Sequence, residues 1–405
     1  MNRTSLAVSA TYDVSVRLDY GAGTISAISE MAVSNRSGGP IDLLELNTVA
    51  ARLGNVRLGT VTVDGRSVTP RIVDQTIRLP LGGVLRHGAS ARLRVPFRAT
   101  FRTTLRGSNW LFTRANATIN AYRWLPWVSR ATPFDRPHHG DPFVTQTSPW
   151  VRVAITTDRP MAIATSGRRV AVSGLTQTFA ATNVRDFNFT ASPRYRTLSG
   201  SVGRTTVTVF YRDGAQAPAM LQRARWALAR LSALLGPYPH ATYTVAESAG
   251  GYAMESPAHI WIPRVASSRI PFLVTHETAH QWFYGVVGND QAREPFADEA
   301  MVDFLTRYLL GAFRSSACSS NRLDLSIYAY PARCYFELVY VKGGSVVNTV
   351  RGRMGDKAFW PALRAYVRTY ANRVSGTATL LRFLDDRTPV DLRPLYRTYF
   401  PSLYR

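Results

Sequence analysis

Hydrophobic residues alternate with polar ones through the first half of the chain and recur at helical spacing through the second. This change of period constrains the fold more than any other feature. Tyr12, Val14, Val16, Leu18 and Tyr20 mark every second position, as one face of a half-buried strand does. Leu93, Val95 and Phe97 repeat the pattern, as do Val151, Val153 and Ile155. Turn-forming residues separate these runs, at Arg36-Ser37-Gly38-Gly39-Pro40 and at Asp64-Gly65. Many short strands punctuated this way predict an antiparallel sandwich or saddle of sheets. After one further alternating run at Val207, Val209 and Tyr211, the spacing predicts a helix over 218–235, stopped by Gly236-Pro237. More helices follow over 272–284, 295–310, 344–353 and 359–370. The pattern thins at Ser199-Gly200, so the reading is a two-domain α+β chain, with a β-domain over 1–200 and a mainly helical domain over 201–405.

Composition narrows the class. With 45% hydrophobic and 19% charged residues, the 405-residue chain has material for real cores. It has no apolar run long enough to span a bilayer. The start of the chain lacks the basic and apolar stretches of a signal peptide. The expected location is therefore extracytoplasmic or secreted if a targeting segment has been removed, and cytoplasmic otherwise. The net charge of +23 invites comparison with nucleic-acid binders. That charge is scattered, however, and nearly all arginine, the only lysines being Lys342 and Lys357. No basic run with interleaved aromatics accompanies it, and no nucleic-acid partner is expected. Oligomeric state is not legible. Cys318 and Cys334 form either one staple or two unrelated thiols; both flank one loop-like stretch, which favours the staple.

The chemistry is concentrated in His276-Glu277-Thr278-Ala279-His280. On a helix, positions four apart share a face, so both imidazoles can reach one zinc ion. Glu277 between them is placed as general base toward a water that the metal acidifies. A zinc site needs a third protein ligand, and Glu299 stands nineteen positions beyond His280, four past Pro295, which suits the first turn of a new helix. Asp303, four beyond Glu299, either orients a ligating histidine through its second ring nitrogen or occupies a solvated helix position. His138 and His139 are adjacent and point apart in most backbones, so the 134–145 stretch reads as a loop. His87, His240 and His259 carry no motif.

At this point the chain resembles the gluzincin aminopeptidases, the family of aminopeptidase N and leukotriene hydrolase. HExxH followed after eighteen residues by Glu is that family's spacing. Gly251-Tyr252-Ala253-Met254-Glu255-Ser256-Pro257 is similar to its exopeptidase loop, and Tyr340-Val341-Lys342-Gly343 to its tyrosine-bearing segment. The resemblance implies a thermolysin-like catalytic domain holding one Zn2+ per chain. It implies a zinc-dependent aminopeptidase acting on peptides with a free N-terminus. Glu255 would bind the α-amine, Gly251, Tyr252, Ala253 and Met254 would line the peptide, and Tyr340 would donate to the oxyanion.

There are departures. Tyr252 and Ser256 replace the usual loop residues, Phe296-Ala297-Asp298-Glu299-Ala300 replaces Trp-Leu-x-Glu-Gly, and the interval from Glu299 to Tyr340 is short. Large members continue into a helical-repeat domain, so its absence here predicts a more open cleft. Two other readings compete: an inactive gluzincin-fold scaffold, and a gluzincin endopeptidase or epoxide hydrolase. The intact site residues argue against the first, and Glu255 with the missing helical domain argues against the second.

Overall fold

The computed structural model describes residues 5–134 and 143–404, so the 135–142 part of the predicted loop lies outside the described residues. The chain packs as two compact units. The first comprises residues 5–134, 145–221 and 240–267; the second comprises 143–144, 222–239 and 268–404. Ser199 and Gly200 lie within the strand Arg196–Val202.

In the first unit the alternating runs become the strands of the largest sheet. Val8–Asp19 pairs antiparallel with Thr24–Asn35, which pairs antiparallel with Ser90–Thr100. Every second residue of Val8–Asp19 is buried, as the sequence period requires. One pairing departs from the antiparallel expectation: Val8–Asp19 runs parallel to Val151–Thr157. These strands are far apart in sequence, so no hairpin dictates their direction, and alternation buries the same face in either sense. Tyr12 packs under this sheet, its ring stacked on Trp127 with centroids 4.2 Å apart and its hydroxyl accepting from the Val128 amide at 2.9 Å. The short helix α1 (Val49–Leu53) is capped by Thr48, whose side chain accepts from the Ala50 amide.

A second sheet of this unit joins Arg196–Val202, Thr205–Tyr211, Thr242–Glu247 and His259–Ile262 in that order. Its last three strands are parallel. Parallel neighbours need a crossover, and α2 (Ala217–Leu235) lies in the connection between Thr205–Tyr211 and Thr242–Glu247.

The second unit is helical: α3 (Ile270–Ala279), α4 (Glu299–Leu310), α5 (Gly343–Met354), α6 (Asp356–Thr369), α7 (Thr377–Asp385) and α8 (Arg393–Tyr399). Two expected helices differ. The helix predicted over 272–284 ends at Ala279, with His280 as its C-cap. The helix predicted from Pro295 is a 3-10 turn over Pro295–Ala297, and α4 starts at Glu299. Immediately before α5, Phe336–Lys342 forms a π-helical turn. α4 and α5 approach closely because Gly343 and Gly344 lack side chains. A Cβ at Gly343 would lie 2.6 Å from the Ala300 Cβ, and one at Gly344 would lie 3.0 Å from the Phe304 amide nitrogen. Among the described residues, no helix is long and apolar enough to cross a membrane.

Candidate metal centre

Helix α3 is buried on nearly all sides from Val274 to Ala279, so its two polar imidazoles sit in an apolar setting that demands a partner. His276 and His280 lie one turn apart, ring centroids 5.0 Å from each other. Glu299, the first residue of α4, meets them. Its Oε2 is 3.4 Å from His276 Nε2 and 3.5 Å from His280 Nε2. All three side chains are buried, and their ligand atoms cluster as a group able to hold a metal ion. Tetrahedral zinc with bonds of about 2.0–2.2 Å holds its ligand atoms roughly 3.3–3.6 Å apart, which these separations match. Glu299 Oε2 is buried without a hydrogen-bond partner, as an oxygen reserved for a metal would be. The donor set thus fits zinc. Burial works to raise the Glu299 carboxyl pKa, but the two histidines outweigh it and hold the group well below the ordinary carboxylate range.

The surroundings fix this geometry. His280 Nδ1 lies 2.9 Å from Asp298 Oδ1 and 3.1 Å from the Phe283 carbonyl. Both are acceptors, so the proton is on Nδ1 and the Nε2 lone pair faces the cluster. The early end of α3 serves this contact: Phe283 lies beyond the helix, which leaves its carbonyl available to His280. Gln291 donates to Asp298 Oδ2 at 3.0 Å and to Glu299 Oε1 at 3.2 Å, tying the two carboxylates together.

The sequence analysis assigns no role to Asp298 and does not single out Gln291. An acidic residue directly before a ligand was a usable signal for Asp298; Gln291 had none. Asp303 does not hold His280. It bonds Arg307, and burial raises its carboxyl pKa against the opposing pull of Arg307 and His276. Its Oδ1 and the Nδ1 of His276 are both buried without hydrogen-bond partners.

The remaining predicted residues occupy two places. Glu277 is buried on α3, and Tyr340 sits in the π-helical turn. The His276 ring stacks on Tyr340 at 5.7 Å and 16° and on Phe272 at 5.8 Å and 15°. In the first unit, Gly251, Tyr252, Ala253, Met254 and Glu255 follow the strand Thr242–Glu247. Ala249 is anchored there through its amide by Asn120 and through its carbonyl by Asn116. Met254 pairs with Trp261 through both main-chain groups, and Glu255 is buried. Tyr252 is 58% exposed and meets the edge of Trp110. Gly251 adopts φ +94°, which a side chain rarely tolerates.

Solved structures match this chain over nearly its whole length. A two-domain M1 zinc metallopeptidase, a point mutant bound to L-tryptophan, superposes with a TM-score of 0.76 over 98% of this chain and 95% of that one, at 19% identity. The fold is that of the two-domain M1 zinc metallopeptidases. The M1 enzyme of Deinococcus radiodurans agrees, with a TM-score of 0.72, 21% identity, and 94% and 91% of the two chains covered. A mutant of that enzyme bound to a Tyr-Ser-Ala substrate gives 0.69 at 19% identity, covering 97% and 94%. By sequence, the chain is 22% identical over 162 residues to Aminopeptidase M1-B of Oryza sativa subsp. japonica. It is 22% identical over 151 residues to Aminopeptidase M1-C of the same organism. These stretches are 34% and 32% of this chain, and span only 18% and 17% of the two rice proteins. No protein-family profile matches the chain.

Proposed function

We propose that this M1-fold protein is a zinc-dependent aminopeptidase that hydrolyses the N-terminal bond of peptides. The observation that carries the reading is the buried cluster of His276, His280 and Glu299, with ligand-atom spacing that fits zinc and an oxygen of Glu299 left without a partner. His276, His280 and Glu299 would hold zinc, which would supply Lewis acidity toward a carbonyl and lower the pKa of a water toward neutrality. The chain's own groups do the rest. The Glu277 carboxylate takes a proton from the attacking water and delivers it to the leaving amine. The Tyr340 hydroxyl donates to the oxygen that gains negative charge. Glu255 accepts hydrogen bonds from the substrate's α-ammonium, which selects a free N-terminus. The main chain of 251–254 lines the peptide as an added strand. Asp298 keeps His280 in its ligating tautomer and Gln291 holds Glu299, while Asp303 is the partner available to His276 Nδ1. Peptide substrates are further supported by the Tyr-Ser-Ala complex of the Deinococcus radiodurans relative.

The test is a panel of aminoacyl-coumarin amides, each as free amine and as N-acetylated twin, with and without a zinc chelator. Chelator-sensitive cleavage of the free amines alone is the expected result. Cleavage of both forms would leave a metallopeptidase but remove the aminopeptidase assignment.

An oxidising, extracytoplasmic compartment is the proposed location, supported by the disulfide between Cys318 and Cys334. Alkylation of protein taken directly from its native cells checks this: free thiols on both cysteines would refute it.

A further inference from the structure

The π-helical turn Phe336–Lys342 is fastened to the segment before it at both ends. Cys334, just ahead of the turn, is disulfide-bonded to Cys318. Glu337, near its start, accepts from Arg314 at 2.6 and 2.9 Å and from the Ala317 amide at 2.8 Å. Lys342, its last residue, donates to the carbonyls of Ser319 and Ser320 at 3.1 and 2.5 Å. Residues 314–320 therefore form a strap fastened to the turn that carries Tyr340. Tyr335, next to Cys334, presents its ring edge to Tyr340 with centroids 5.8 Å apart. A π-turn is rare and accommodates an extra residue that an α-helix would not, so a sequence that keeps one needs contacts that hold it.

We propose that the strap, through the Cys318–Cys334 disulfide and the Glu337 and Lys342 attachments, positions the Tyr340 hydroxyl, so that turnover depends on the redox state of the cysteine pair. The inference rests on the aminopeptidase reading. None of the strap's residues ligates the metal, which is held from α3 and α4. Opening the strap therefore acts on the oxyanion donor and leaves metal and ground-state binding alone. Reduction by a dithiol breaks the Sγ–Sγ bond, adds two electrons and two protons to give two thiols, and leaves the reagent as its own disulfide. Both cysteines are partly exposed and open to such a reagent.

The experiment compares wild type, the Cys318→Ser/Cys334→Ser double variant and Lys342→Met, each also in a Tyr340→Phe background. Because small displacements of a catalytic group are costly, kcat is expected to fall about 10- to 100-fold in both strap variants. KM and zinc content should be unchanged, and no further fall is expected in the Tyr340→Phe background. Dithiol treatment of wild type should reproduce the loss, and reoxidation should reverse it. An unchanged kcat, or an equal fall in the Tyr340→Phe background, would overturn the proposal while leaving the aminopeptidase reading intact. Lys342→Met decides the matter should the cysteine variant fail to fold. If wild type cleaves nothing, the aminopeptidase reading fails. Positioning is then read from the ring-current shift of Tyr340 on the His276 resonances: movement on reduction supports it and invariance overturns it.

Discussion

The Nδ1 of His280 donates to Asp298 across 2.9 Å, and the same carboxylate reaches Gln291 through its other oxygen. One side chain at the N-cap of α4 thus orients the candidate ligand His280 while adjoining the candidate ligand Glu299. Replacing Asp298 by Ala is expected to weaken zinc affinity about 10- to 100-fold, the usual effect of losing a carboxylate behind a ligating histidine. Asp298→Asn, which keeps an acceptor but not the charge, should lose less. Competition against a chromophoric chelator measures both.

In the proposed mechanism Glu277 separates metal binding from catalysis. Glu277→Gln keeps the shape of the side chain and removes its capacity to take a proton. The expected outcome is a fall in kcat of about 10²- to 10⁴-fold. Zinc stoichiometry by elemental analysis should equal that of wild type, and a loss of zinc would assign Glu277 a different role.

Gly251 is a test of the proposed peptide-lining loop. A Cβ there would lie 2.5 Å from the buried Trp110 ring, on a backbone with φ +94°. Gly251→Ala should cost about 1–3 kcal/mol through strain and overpacking. A lowered thermal midpoint together with a raised KM for free-amine substrates is the expected signature.

Acid should destabilise the first unit through His259. Trp261 donates its indole hydrogen to His259 Nε2 at 2.8 Å, which requires that nitrogen to be bare. Burial pushes the His259 pKa down from 6.5 to about 3. A depressed folded pKa means the unfolded chain binds the proton first. The stabilising contribution is therefore complete above pH 6.5 and drains away as pH falls toward 3. His240, depressed to about 4 by burial, acts in the same direction. Urea midpoints of metal-free protein should drop between pH 6.5 and pH 4 in wild type, and more shallowly in His259→Gln.

Much of the candidate site was legible because its determinants are local. His276 and His280 share a helix face by spacing alone, and Glu299 follows at a recognisable interval. What escaped was set by partners distant in sequence or by groups without a pattern. The parallel alignment of Val8–Asp19 with Val151–Thr157 leaves no trace in the alternation of either strand. The early end of α3 depends on the Phe283 carbonyl turning toward His280, a three-dimensional requirement that the apolar run over 272–284 does not express. Gln291 is chemically ordinary until Asp298 and Glu299 are folded against it. The residues of Phe336–Lys342 have the same helical pattern whether the turn is α or π.

That turn has an evolutionary consequence. Residues of an α-helix are spaced about 100° apart around its axis. Deleting a single codon within 336–339 would restore ordinary winding and rotate Tyr340 about the helix axis relative to His276. Gly343 and Gly344 would keep their seats against Ala300 and Phe304, and the candidate ligands on α3 and α4 would be untouched. On the proposed mechanism, one in-frame deletion therefore lies between a hydrolase and a metal-binding protein of the same shape, and a single insertion lies along the return path.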